Sequence, residues 1–230
     1  MQTTSALWKQ ILTDPAHRRE YKAEIAGTTY GEDAIISIKT STKLFSGAPA
    51  VGSCVSGELD LALYPQGQIP SMAEIKVYCR LVDATQQSEW LPQGIYYIDT
   101  REPDAEGESL DIHGYDAMLK AEQVFVPNLG TDVGEWPRTQ QAVVNAICTR
   151  MGVELDSRTV INSTYMVEYP NDYTMREILG YIAAAHGGCW IITPAGKLRL
   201  VTLGGLPAET NYLVDENGDA ITMGGVRILV

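Results

Sequence analysis

Glu74-Ile75-Lys76-Val77-Tyr78-Cys79-Arg80-Leu81 alternates polar and apolar side chains without a break, and that alternation decides the fold class. Successive side chains of an extended strand point to opposite faces, so Ile75, Val77, Cys79 and Leu81 share a buried face while Glu74, Lys76, Tyr78 and Arg80 face water. The same period recurs upstream. Tyr21, Ala23 and Ile25 alternate with Lys22 and Glu24, and Leu59, Leu61 and Leu63 alternate with Glu58, Asp60 and Ala62. Further strands are expected over residues 34–39, 94–100 and 109–113, separated by turn chemistry such as Tyr64-Pro65-Gln66-Gly67-Gln68. Several short antiparallel strands at this spacing predict a barrel or sandwich, because closure removes the exposed edges of a flat sheet.

After His113 the period changes. Residues 116–124 are expected to form one helix, and residues 139–151 a second with Val143, Ile147 and Met151 on one face, stopped by Gly152 as a left-handed cap. Thr174-Met175-Arg176-Glu177 is a capping box that opens a third helix, whose apolar stripe is Ile178, Leu179, Ile182 and Ala183. Gly187-Gly188 ends it. A hairpin follows, with Cys189-Trp190-Ile191-Ile192 and Lys197-Leu198-Arg199-Leu200-Val201 joined through Thr193-Pro194-Ala195-Gly196. Asn217-Gly218 predicts another hairpin turn, between Tyr212-Leu213-Val214 and Ala220-Ile221-Thr222. The last residues, Val226-Arg227-Ile228-Leu229-Val230, read as an apolar strand that needs a neighbour. Either the natural chain is expected to continue or this strand pairs across an interface.

The fold class is therefore α+β. Residues 1–113 form an antiparallel β-barrel-like domain, residues 114–200 a mixed domain with three helices, and residues 201–230 a β-hairpin region that would open a truncated second barrel.

The chain has 230 residues, 45% hydrophobic and 20% charged, which predicts a folded protein able to bury a core unaided. Its formal net charge of −12 repels phosphates at long range, so specific nucleic-acid binding is not expected. Cys54, Cys79, Cys148 and Cys189 form no CxxC pair and have no histidine at metal-ligand spacing, and read as small buried hydrophobes. No basic flank with an apolar core opens the chain, and no stretch of about 18 apolar residues occurs, so neither a signal peptide nor a membrane anchor is expected.

Chemistry finds little support. His17, His113 and His186 belong to no HExxH motif, and His186 suits the last turn of its helix, where it can cap a carbonyl. Gly52-Ser53-Cys54-Val55-Ser56-Gly57 is not a nucleophile elbow, and Cys54 would act as a nucleophile only with a histidine beside it in space. Asp215, Asn217 and Asp219 imitate the start of a calcium loop, but Ala220 and Val226 stand where glycine and glutamate are required. Asp99, Glu102, Asp104, Glu106 and Glu108 could pair two carboxylates for glycoside hydrolysis, although a charged run on a connection is usually only solvated. No phosphate-cradling glycine motif is present. The expected set of catalytic, metal and cofactor-binding residues is empty.

Gly94-Ile95-Tyr96-Tyr97-Ile98-Asp99-Thr100-Arg101, His113-Gly114-Tyr115-Asp116-Ala117-Met118-Leu119-Lys120, the helix from Thr139, and the run from Thr174 to Ala183 with Gly187-Gly188 and Gly196-Lys197-Leu198 occur in that order. This succession resembles the hub modules of phage tails: baseplate hub proteins of contractile tails and the N-terminal parts of tail-associated lysins in phages and prophages. The resemblance spans roughly residues 20–205. It implies a homotrimer in which each subunit contributes two related barrel-like domains around a helical one, giving a ring of six that matches a hexameric tube. It also implies a virion tail location, assembly in the bacterial cytoplasm, and partners in the tail tube or distal tail protein and a downstream spike or lysin. Any lytic activity of such proteins would lie in a downstream domain. The expectation is a structural, non-enzymatic protein; the alternatives are a cell-wall hydrolase using the acidic run and a carbohydrate-binding adhesin using Trp90, Trp136 and Trp190 as stacking faces.

Overall fold

The computed structural model describes residues 4–125 and 136–204, and the backbone of 222–223 and 226–227. A short helix, α1 (Ala6–Leu12), precedes seven strands: β1 (Arg18–Ile25), β2 (Thr28–Tyr30), β3 (Ile35–Ser41), β4 (Glu58–Leu63), β5 (Glu74–Val82), β6 (Leu91–Pro103) and β7 (Leu110–Asp116). They form one antiparallel sheet in the order β2-β1-β5-β6-β7-β4-β3.

Chain connectivity forces this sheet to curl. Its edge strands β2 and β3 are joined only by residues 31–34, and five residue steps from Tyr30 to Ile35 span at most about 17 Å. Six interstrand spacings in a flat sheet would hold the edges about 29 Å apart. The sheet therefore closes on itself as a half-barrel, with the alternating side chains Ala23, Ile25, Leu59, Leu61, Leu63, Ile75, Val77, Tyr96, Ile98 and Ile112 packed inside. Register shifts at Ile35/Ser37, Val77/Tyr78 and Ile98/Thr100 mark bulges, which add bend and twist where the curl needs them. At the last of these the backbones approach so closely that a Cβ on Gly114 would stand 2.7 Å from the Tyr97 carbonyl oxygen.

A second core lies beside the first. A 3-10 helix (Ala117–Glu122) and α3 (Met175–Ala185) pack against β10 (Gly188–Ile192) of the hairpin that β10 forms with β11 (Leu198–Thr202), and α2 (Gln140–Met151) packs against the 3-10 helix and α3. Met118, Val143, Val144, Ile147, Met151, Ile178, Leu179, Ile182, Trp190 and Leu198 fill it. Between α2's approach and α3, β8 (Arg138–Thr139) pairs with β9 (Met166–Val167). β12 (Thr222–Met223) pairs antiparallel with β13 (Val226–Arg227). The Asn217-Gly218 turn and residues 228–230 lie outside the described residues.

The helix expected over 116–124 is corrected: β7 runs on to Asp116, and a 3-10 helix begins at Ala117 with the Asp116 side chain accepting from Met118 N. Short 3-10 pieces are common connectors, and this one links β7 to the rest of the helical unit. Gly188 is also not part of the helix stop. It is the first residue of β10, after Gly187 at φ 59°. The second helix starts one residue later than expected, at Gln140, with Thr139 as N-cap and Gly152 left-handed at φ 68°.

The capping box is complete. Glu177 N donates to Thr174 Oγ1 at 3.2 Å, and Thr174 N donates to Glu177 Oε2 at 2.8 Å. Thr174→Ala is expected to cost about 0.5–2 kcal/mol, whereas Thr174→Ser is nearly neutral. Identical urea midpoints for wild type and the alanine variant would show that the cap does not hold α3.

Candidate functional site

Long-range polar contacts converge at the junction between the two cores. The chain between β3 and β4 leaves the sheet and lies against the helical unit. Gly52 N donates to the Gly188 carbonyl at 2.7 Å, Trp190 N donates to the Ser53 carbonyl at 2.9 Å, and Cys54 forms a parallel bridge with Trp190. Leu155 bridges Leu198 in the same sense, so the β10–β11 hairpin is flanked on both sides by extended chain. The crossing over α3 requires two glycines. A Cβ on Gly52 would stand 2.9 Å from the Gly180 carbonyl oxygen, and one on Gly180 would stand 3.0 Å from that of Gly52.

Arg176, in the first turn of α3, ties this crossing down. Its guanidinium donates to the carbonyl of Cys54, to Ser56 Oγ at 2.9 Å and to the Met118 carbonyl at 3.1 Å, and its Nε lies 2.7 Å from Glu122 Oε1. A planar fork of donors can serve several acceptors held at fixed angles, which an ammonium on a flexible stem cannot. Next to it, buried Asp116 accepts from Gly57 N at 2.7 Å and from Met118 N at 2.9 Å. The arrangement holds the end of the sheet against the start of the helices.

Burial pushes the Asp116 carboxyl up to about 6, against the two amide bonds and the Arg176 charge. Since this lies above its ordinary 3.8, folding takes up a proton between 3.8 and about 6. The stabilisation from this group is complete below the unfolded value and is lost as pH rises through the folded one. The thermal midpoint of wild type is therefore expected to fall over that window relative to Asp116→Asn. Parallel profiles for the two proteins would refute the assignment.

The residues singled out from sequence are not brought together. Burial pushes the Cys54 thiol up to about 12, so it is protonated and packs as a hydrophobe rather than acting as a nucleophile. His17 Nδ1 bonds the Asp14 carbonyl, His113 Nδ1 lies 2.7 Å from Asp60 Oδ1, and His186 Nε2 lies 2.9 Å from Gln140 Oε1. His186 thus meets a side-chain amide instead of a carbonyl of its own helix. In the acidic run, Asp99 and Glu102 are exposed on β6, while Asp104 folds the following turn by accepting from Glu108 N at 2.8 Å and Ser109 N at 3.2 Å. Trp190 is fully buried and donates its indole N–H to the Leu179 carbonyl at 2.8 Å. Trp136 packs edge-on to Phe125 and Tyr169, and the Arg80 guanidinium lies 4.5 Å from the centre of the Trp90 ring. Asp215, Asn217 and Asp219 lie outside the described residues. Among the described residues no three His, Cys, Asp or Glu side chains gather as a metal site, and no helix is long and apolar enough to cross a membrane.

Sequence reading places Asp116 at a helix start and Arg176 in a capping box, and gives neither a role at this junction. Asp116 did carry a signal: it follows Ile112 and Gly114 on the inward period of β7, so a charged group stood at a core position.

The curled half-barrel joined to a small helical unit is a fold shared with a solved prophage tail protein. The 43 kDa tail protein of prophage MuSo2 from Shewanella oneidensis superposes with a TM-score of 0.53 at 15% identity, over 90% of this chain and 61% of that one. A tail protein from Neisseria meningitidis MC58 gives 0.47 at 13% identity over 88% of this chain and 53% of that one. Prophage tail protein gp18 from Listeria monocytogenes EGD-e gives 0.46 at 10% identity, covering 86% and 55%. This chain thus spans about three fifths or less of the length of these proteins. No protein-family model and no curated protein matches the sequence.

Proposed function

We propose that the chain is a structural component of a phage or prophage tail, acting as a hub at the tip of the tail tube. The observation that carries this reading is the fold shared with the MuSo2 tail protein across 90% of the chain. The junction adds support, because its buried polar groups are spent on holding two cores together and not on a reacting centre. In this reading residues 1–113 are the tube-forming domain, residues 114–200 a helical spacer, and residues 201–230 the start of a second barrel. Three copies of the full-length protein form a ring, with the tube or distal tail protein on one side and a spike or lysin on the other. The acidic balance suits a passage for DNA: a lumen without excess Lys and Arg lets phosphates slide by without being held.

Light scattering and electron microscopy of the full-length protein test the proposal. A trimeric ring with a neutral or negative lumen is the expected result; a stable monomer, or a lumen lined chiefly by Lys and Arg, overturns it. Peptidoglycan and polysaccharide are expected to survive incubation with the purified chain. Turnover abolished by Glu102→Gln or Asp104→Asn would favour the hydrolase instead.

A further inference from the structure

A cleft of about 480 Å³ opens between the β10–β11 hairpin, Pro92 of β6 and the segment 156–158. Three cations line it, Arg158, Lys197 and Arg199, in a chain whose overall charge is −12. Two of them are already balanced. Arg158 grips Asp156 with two bonds, Nε to Oδ1 at 2.7 Å and a terminal nitrogen to Oδ2 at 2.6 Å. That grip holds the Asp156 carboxyl well below the usual carboxylate range. Lys197 Nζ lies 2.6 Å from Glu154 Oε2.

Arg199 is different. It sits on β11 opposite Ile191, and among the described residues its buried Nε has no hydrogen-bond acceptor. A buried guanidinium nitrogen without an acceptor costs free energy comparable to a lost charged hydrogen bond, and the cost is recovered when an acceptor arrives. Counting charges around the cleft, Arg158 cancels Asp156 and Lys197 cancels Glu154, which leaves one positive charge on Arg199.

We propose that this cleft is a binding site for a carboxylate group, received by Arg199. One uncompensated positive charge matches a monoanion, whereas a phosphate dianion would leave the cleft negative beside Asp156 and Glu154. The two oxygens of a carboxylate also match the parallel N–H donors of a guanidinium edge. The site is separate from the junction around Arg176 and stands whether or not the chain belongs to a tail.

Nitrogen-15 NMR of the intact chain reads the Arg199 Nε–H resonance directly while acetate or phosphate is added at constant ionic strength against chloride. Acetate is expected to give a saturable shift, and phosphate a weaker one. In Arg199→Gln, followed through the Ser157 and Lys197 amides, acetate affinity is expected to fall by about tenfold or more. Arg199→Lys keeps the charge without the fork, and is expected to bind less tightly than wild type. No saturable shift in wild type, an undiminished response in either variant, or phosphate binding at least as tight as acetate would overturn the proposal. Because the wild-type resonance is itself a readout, misfolding of a variant cannot hide the result.

Discussion

Trp190→Ala is expected to lower the stability by about 3–5 kcal/mol. Three properties of the residue add up to that figure. It is fully buried, so the whole indole volume becomes a cavity in the second core. It lies in the middle of β10, with Leu200 opposite it in register and Cys54 bridged to its other side, so the hole opens between three chain segments that cannot all move in. Its N–H donates to the Leu179 carbonyl, which ties the hairpin to α3. Trp190→Phe keeps much of the volume but loses that donor, so about 0.5–1.5 kcal/mol is expected from the lost hydrogen bond, added to a packing change smaller than that of alanine. Urea denaturation followed by circular dichroism separates the two variants; equal midpoints for wild type and Trp190→Ala would contradict the central place given to this side chain.

Arg176→Met is the second large effect, with an expected loss of at least about 2 kcal/mol. The substitution preserves most of the apolar stem and deletes the donors to Cys54, Ser56 and Met118 together with the pair to Glu122. Arg176→Lys should recover only part of the loss, since a single ammonium cannot meet acceptors spread over three segments. The variant also has a signature that simple destabilisation lacks. The Arg176 charge favours the ionised form of Asp116, so its removal moves the Asp116 titration, and the associated fall in thermal midpoint, to higher pH. In a double-mutant cycle the two residues are expected to couple; strict additivity of Arg176→Met and Asp116→Asn would place them in separate networks.

How much of this was legible beforehand depended on how local the cause was. β4 matches the alternation of Glu58–Leu63, and β5 that of Glu74–Val82 to within one residue, because a half-buried strand writes its own period into the chain. The capping box and the Gly152 stop were equally plain, being motifs of four or five residues. What could not be read were elements defined by distant partners. α1 has few helical turns to show a period, and it is fixed by Ser5 bonding Glu89, 84 residues away, and by Ile11 packing inward. β2 is three residues long and exists as the edge of β1. The crossing of residues 50–54 onto α3 depends on Gly52 and Gly180 meeting, and nothing in either glycine's neighbourhood announces the other. The junction followed the same rule: Asp116 disclosed itself as a charge at an inward position, while the acceptors of Arg176 come from the 54–56 segment and the 117–122 turn.

The short stretch between β2 and β3 has a consequence for which changes of length the chain can accept. Residues 104–109 join β6 to β7 at a free end, so extra residues there would only lengthen a protruding tip. Residues 31–34 instead act as a fixed girth, since their span sets how far the two rims of the half-barrel stand apart. An insertion of several residues there would slacken that girth, letting the rims part and exposing Tyr30 and Ala34, which are buried at the closure. Homologous chains are accordingly expected to vary freely in length at the first connection and to keep the second almost constant, a difference visible by aligning chains of this fold.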